Sequence, residues 1–197
     1  APDTYMEKIA IGPDLPKKIV DLDNSVEDNI LSLAKAKNTS PDKLTVCILD
    51  RPRHNEIIAS LKKMKVNLKL ITDGDISGVI YVVDNKSPVD MYLGTGGGPE
   101  GVLAAAALSC YGGQIQTRLV LDEKETIRAR EMGITDLKKK YNLEDMIKGD
   151  VMFCATGITQ GDLTDGIKEY ENYFEATTIV LHKDGKINSL FKNKHNK

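Results

Sequence analysis

The sequence predicts an α/β fold: a mixed, mostly parallel sheet flanked by helices. Three observations carry this expectation. The run at 44–49 (LTVCIL) is short and nearly continuously apolar, in the manner of a strand buried on both faces, and 66–71 (VNLKLI) reads as another strand. Between and before them lie segments with helical spacing, Val26, Ile30, Leu33 and Ala34 in one and Ile57, Ile58, Leu61 and Met64 in the other. Near the end, Lys183-Asp184-Gly185 separates two alternating segments, a hairpin signal that adds an antiparallel pair. With 197 residues, no internal repeat and no linker, residues 1–197 read as one domain with its own core.

The elements follow in order. Residues 5–11 alternate as a strand, which Gly12-Pro13 ends, and 17–23 add a short extended piece. Ser25 with Asp28 three residues on resembles a capping box and opens a helix to about Lys37. The strand at 44–49 delivers Asp50-Arg51-Pro52-Arg53-His54, and a helix fills 55–64. The strand at 66–71 delivers Thr72-Asp73-Gly74-Asp75. Residues 76–83 suit either helix or strand, because β-branched residues compete with a cap at Asp75. A strand at 89–93 runs into Gly94-Thr95-Gly96-Gly97-Gly98, which reads as a turn. A helix follows, with Pro99 and Glu100 in its first turn.

Beyond Gly112-Gly113, residues 115–121 suit a strand or an irregular segment, and Asp122 caps a charged helix to Met132. Short helices are expected at 135–141 and before Gly149, then a buried strand at 150–155 leading to Thr156-Gly157. The closing pair is expected at 173–181 and 186–191, with a frayed polar tail at 192–197.

Composition removes several classes. A net charge of −2 and a pI near 6.0 argue against a nucleic-acid binder. With 41% hydrophobic and 28% charged residues the chain is globular, not disordered. No segment has the length to span a membrane and no signal-peptide pattern is visible. Cys47, Cys110 and Cys154 are odd in number and lack metal-like spacing; Cys47 and Cys154 fall in apolar runs, which predicts reduced core thiols and a cytoplasmic location. The chain opens at Ala1-Pro2-Asp3 without Met and reaches a strand within five residues, which suggests the later part of a longer chain.

Chemistry concentrates at strand ends, where open α/β sheets place their ligand crevice. Arg51 and Arg53 flank a proline expected to hold them extended and apart; guanidinium forks suit phosphate, although for a lone pair of arginines a solvated surface turn is the favoured reading. His54 reads as a helix N-terminal residue before a ligand or base. Asp73 and Asp75 across Gly74 suit sugar hydroxyls, a metal, or helix capping, and capping explains only one of them. Glycines 94 and 96–98 offer bare backbone N–H groups at a helix start, an anion cradle or merely a turn. It is no P-loop, since no Gly-Lys-Ser/Thr follows. Glu100 is one carboxylate and needs fellow ligands to hold a divalent cation. Tyr5 suits stacking or packing. Together these residues suit a phosphorylated, hydroxyl-rich small molecule.

Five ordered segments carry a resemblance: Ala1-Pro2-Asp3-Thr4-Tyr5-Met6-Glu7-Lys8, Arg51-Pro52-Arg53-His54, Asp73-Gly74-Asp75, Gly96-Gly97-Gly98-Pro99-Glu100-Gly101, and Ala155-Thr156-Gly157-Ile158-Thr159-Gln160-Gly161-Asp162. The chain resembles the C-terminal portion of class II fructose-1,6-bisphosphatases, the bacterial type related to the cyanobacterial fructose/sedoheptulose bisphosphatase. The resemblance implies a sandwich of alternating helical and sheet layers. It also implies hydrolysis of fructose 1,6-bisphosphate to fructose 6-phosphate and phosphate in gluconeogenesis, with Mn²⁺ or Mg²⁺. By the same resemblance Tyr5, Arg51, Pro52, Arg53, Asp73, Gly74, Asp75 and Gly97 would contact the sugar phosphate, and Glu100 would bind metal. The family's main metal ligands, in a Gly-Glu-Gly-Glu-like segment and an Asp-Pro-x-Glu-Gly-Thr motif, do not occur here. This chain alone is therefore expected to hold the sugar-phosphate site without hydrolysing the ester, and to associate with itself or with the missing N-terminal part. A non-catalytic sugar-phosphate or nucleotide sensing domain is the alternative.

Overall fold

The computed structural model describes residues 4–161, 163–185 and 188–197; Ala1-Pro2-Asp3, Asp162, and the expected start of the last strand at Lys186 and Ile187 lie outside them. In chain order the elements are β1 (Tyr5–Ile11), α1 (Val26–Ala36), β2 (Thr45–Leu49), α2 (Asn55–Lys63), β3 (Asn67–Ile71), α3 (Asp75–Ile80), β4 (Met91–Gly97), α4 (Gly98–Tyr111), β5 (Gln114–Val120), α5 (Glu123–Glu131), β6 (Lys140–Asn142), α6 (Leu143–Met146), β7 (Met152–Thr156), β8 (Lys168–Glu169), β9 (Tyr173–His182) and β10 (Asn188–Asn196).

The first six strands form one sheet in the order β3-β2-β4-β1-β5-β6. Strands β2, β3 and β4 run parallel, β1 lies antiparallel to both β4 and β5, and β6 is antiparallel to β5. Four of the six strands thus share one direction. The expected hairpin exists, with Leu181 opposite Asn188, but it belongs to a second sheet, β10-β9-β7 with β8 on β9. The mixing in the first sheet comes from β1 and β6.

Side-chain alternation sorts the core into layers. Ile9 and Ile11 of β1 with Met91 and Leu93 of β4 pack against Ile30 and Leu33 of α1 and Leu61 of α2. The opposite faces of the same strands, Ala10 and Tyr92, pack against Val79 of α3 and against Ala104, Ala105 and Leu108 of α4. Ile80 and Ala107 on the far side of these helices meet Phe153 and Leu181 of the second sheet. The result is helix, sheet, helix, sheet, in agreement with the layered sandwich that the resemblance implies. Helix α4 is apolar all round because it lies between two sheets.

Several local expectations change. Residues 17–23 are turns, not an extended piece. Residues 76–83 are helical, α3 followed by a 3-10 turn at Tyr81–Val83. The segment 135–141 is not a helix: it turns into β6, whose Lys140 lies opposite Arg118 and pairs with Asp21 at 2.5 Å and Asp23 at 2.6 Å. Tertiary ion pairs override a local pattern rich in helix formers. The polar tail is no frayed end: β10 continues to Asn196 opposite Tyr173. Of the cysteines, Cys47 is a buried thiol, while Cys154 is exposed on β7 because its neighbours Phe153 and Ala155 take the inward positions.

Candidate sugar-phosphate site

The order β3-β2-β4 creates a switch point. The chain leaves β2 to one side through α2 and leaves β3 to the other through α3, and the two helices cover opposite faces of the sheet. Such a reversal opens a crevice at the carboxyl ends of the two central strands. Only Val46–Met91 and Cys47–Tyr92 pair between β2 and β4 before the strands part. All the expected site residues fall at this end of the sheet. Residues 51–54 follow β2, residues 73–75 follow β3, Gly97 ends β4, and antiparallel β1 begins there with Tyr5, opposite Gly97.

His54 fills the gap between the parting strands. Its Nε2 accepts from the Thr95 N–H at 2.8 Å, so the ring proton sits on Nδ1, which donates to the Leu49 carbonyl at 2.7 Å. The imidazole thus satisfies one group on each of β2 and β4 where the ladder has ended. It is buried, and burial holds it below the usual imidazole range, as a neutral bridge requires. Gly94 leaves the room: a Cβ there would stand 3.2 Å from His54 Nε2. His54 is therefore a strut and not simply a helix N-terminal residue.

Pro52 opens a 3-10 turn, Pro52–His54, so only Arg51 keeps the extended backbone expected of both arginines. The turn separates them. Arg51 Nη1 donates to the Asp50 carbonyl at 3.2 Å. Arg53 Nε donates to the Thr95 carbonyl at 2.9 Å, and its guanidinium carbon lies 5.0 Å from the centre of the Tyr5 ring. Arg53, Tyr5 and Gly97 are thereby brought together at the rim.

The two aspartates have different roles. Asp73 is exposed and accepts from the Gly74 N–H at 2.8 Å, fixing its own turn, with Gly74 in the left-handed region at φ 80°. Asp75 is the first residue of α3 and does not cap it. Its Oδ2 pairs with Lys8 Nζ, and its Oδ1 accepts from the Tyr92 hydroxyl at 2.6 Å. Lys8 is fully buried, in the row Met6, Lys8, Ala10 of β1 that faces α4. Burial pulls this ammonium below its usual range, against the opposing pull of Asp75, and burial with the adjacent Asp75 pushes the Tyr92 phenol well up.

The glycine segment is not a loop. Gly94 to Gly97 complete β4 in register with Tyr5 to Lys8 of β1, and α4 starts at once from Gly98, whose N–H donates to the Thr4 carbonyl at 2.7 Å. Much of the expected bare backbone is thus already paired. What the glycines clear is space for charged side chains. A Cβ on Gly96 would overlap Asp75 Oδ2, one on Gly101 would lie 3.0 Å from Lys8 Cε, and one on Gly97 would fall 2.7 Å from the Glu100 carboxyl carbon. Glu100, exposed in the first turn of α4, stands beside Gly97.

Among the described residues no three His, Cys, Asp or Glu side chains stand together as a metal site. Lys8 and Tyr92 were missed in the sequence. Their signal is positional: Lys8 sits at strand spacing between Met6 and Ala10, on what is otherwise an apolar face. Among the described residues no helix is long and apolar enough to cross a membrane.

The chain is similar to proteins named D-fructose 1,6-bisphosphatase class 2/sedoheptulose 1,7-bisphosphatase. It is 34% identical to that of Microcystis aeruginosa over 94% of this chain and 58% of the relative. With that of Trichodesmium erythraeum it is 32% identical over the same shares. With that of Synechocystis it is 34% identical over 92% of this chain and 56% of the relative. The chain thus spans less than three-fifths of the length of these relatives. A family model described as bacterial fructose-1,6-bisphosphatase, glpX-encoded, matches residues 1–195. On that match, which runs almost end to end, the chain belongs to the bacterial fructose-1,6-bisphosphatase family.

Proposed function

We propose that this chain supplies the sugar-phosphate site of an enzyme that hydrolyses fructose 1,6-bisphosphate to fructose 6-phosphate and phosphate, a gluconeogenic reaction. The observation that carries the reading is the convergence at the switch point, where Arg53 is held over Tyr5 by the Thr95 carbonyl, beside Gly97. Arg53 has committed Nε, and its two terminal nitrogens would serve a phosphate as a fork. Arg51 adds positive charge from the same turn, shaped by Pro52. Asp75, and Asp73 beyond Gly74, would accept from sugar hydroxyls, and Tyr5 would close the rim over the ligand.

Glu100 would give one oxygen to a divalent cation, Mn²⁺ or Mg²⁺, which supplies polarisation of the phosphoryl group when bound. Because no three His, Cys, Asp or Glu side chains stand together among the described residues, this chain's own groups would chiefly bind and orient the sugar phosphate. The 197-residue domain would then work by association with itself or with further ligand-bearing residues. The same absence favours, as a second reading, a domain that binds sugar phosphate without turning it over.

A phosphate-release assay with fructose 1,6-bisphosphate and Mn²⁺ separates the readings. Release by a full-length protein carrying these residues, with binding but no release by the 197-residue chain, is expected. A full-length protein that binds the bisphosphate and never releases phosphate would leave only the sensing reading. Turnover by the 197-residue chain alone would contradict the single-ligand account of Glu100.

A further inference from the structure

We propose that Lys8 is a positioning residue for sugar recognition: from β1 it holds the Asp75 carboxylate in one orientation as an acceptor for a sugar hydroxyl at the switch point. The inference rests on the functional reading above and deepens it.

Lys8 has no exposure, and its ammonium meets Asp75 Oδ2 inside the protein. A buried ion pair is a poor way to gain stability, since apolar side chains of similar volume usually do as well or better. Here the apolar alternative is at hand, because Met6 and Ala10 flank Lys8 on the same face. The surroundings are nonetheless shaped for the charge. Gly96 and Gly101 each lack a Cβ that would collide with Asp75 or crowd the lysine stem, and Tyr92 reaches across from β4 to donate to the second carboxylate oxygen. Three elements thus lock one carboxylate whose side chain keeps 10% exposure at the ligand end of the sheet.

The lock has a chemical consequence. A carboxylate has about four lone-pair sites. One donor on each oxygen fixes the rotamer and leaves acceptor capacity on both. Lys8 itself touches no ligand and acts through Asp75.

The test compares two probes, fructose 6-phosphate and inorganic phosphate, titrated calorimetrically into the 197-residue chain and its variants. Lys8→Met is expected to weaken fructose 6-phosphate binding by about tenfold or more, the scale of a lost charged hydrogen bond. Inorganic phosphate, which the arginines would hold, should bind as before. Tyr92→Phe, a gentler change that removes one oxygen, should move the same probe in the same direction, and it carries the test if Lys8→Met does not fold. The double variant Lys8→Met/Asp75→Asn should bind fructose 6-phosphate no worse than Asp75→Asn alone. Equal losses for both probes would show a merely structural role, and unchanged fructose 6-phosphate binding would remove Lys8 from recognition; either overturns the proposal. An unsubstituted chain that binds phosphate but no fructose 6-phosphate would instead bring down the functional reading itself, and this role with it.

Discussion

Gly96→Ala is the sharpest probe of the claim that the glycine segment makes room for charged side chains. The added methyl would overlap Asp75 Oδ2, lie 2.9 Å from Asp75 Cγ and stand 3.1 Å from Lys8 Nζ. Lys8 is enclosed and cannot swing to solvent, so either Asp75 leaves Lys8 and Tyr92 or β4 pulls away from β1. Separating a buried ion pair and leaving one partner inside costs about 3–5 kcal/mol. For a domain of this size that corresponds to a melting temperature lower by about 6–20 °C. Gly133→Ala is the control. Its φ of 84° disfavours a side chain, but nothing lies within 4 Å of the new Cβ. Left-handed strain alone costs about 1–2 kcal/mol. Thermal unfolding followed by circular dichroism reads both variants. If Gly96→Ala loses no more than Gly133→Ala, the space beside Asp75 is not needed and the account of this segment is wrong.

Other expectations follow from burial. Cys47 is sealed between β3 and β4, and burial pushes its thiol up to about 12. Brief iodoacetamide treatment at pH 8 should therefore label exposed Cys154 and spare Cys47 until the chain is unfolded; equal labelling rates by mass spectrometry would contradict the packing. His54 is held neutral by burial, below the usual imidazole range of about 6.5, while the unfolded chain takes up its proton near that value. Its contribution to stability is full above the unfolded pKa and is lost as pH falls through the lowered folded value. Urea midpoints measured from pH 7.5 to 5 should fall more steeply in the unsubstituted chain than in His54→Gln. Identical slopes would show that the imidazole is not the neutral bridge described.

Much of this was legible in the sequence because strand ends and their contents are local. The strand patterns at 44–49 and 66–71 point to β2 and β3, and the arginines and aspartates that follow them do lie at one end of the sheet. The glycine segment misled because glycine lacks the side chain that reveals a strand. Its extended state comes from pairing with β1, a contact some ninety residues away in sequence. The tail misled for a related reason: Lys192, Lys194 and His195 are polar because β10 is exposed, and its order comes from β9. Lys8 was concealed by its chemistry. An ammonium in a strand is normally read as facing water, and only its partner Asp75, 67 positions on, explains its burial. Local pattern thus pointed to the strand ends, while long-range charge pairing decided which of their side chains are held inside the protein.

The most direct test of the central claim is a calorimetric titration of fructose 6-phosphate into the chain and into Arg53→Ala. The account predicts saturable binding at one site, weakened in the variant by about 1.5–3 kcal/mol, as for a lost hydrogen bond to a charged group. No binding by the unsubstituted chain, or equal affinity in the two proteins, would contradict it.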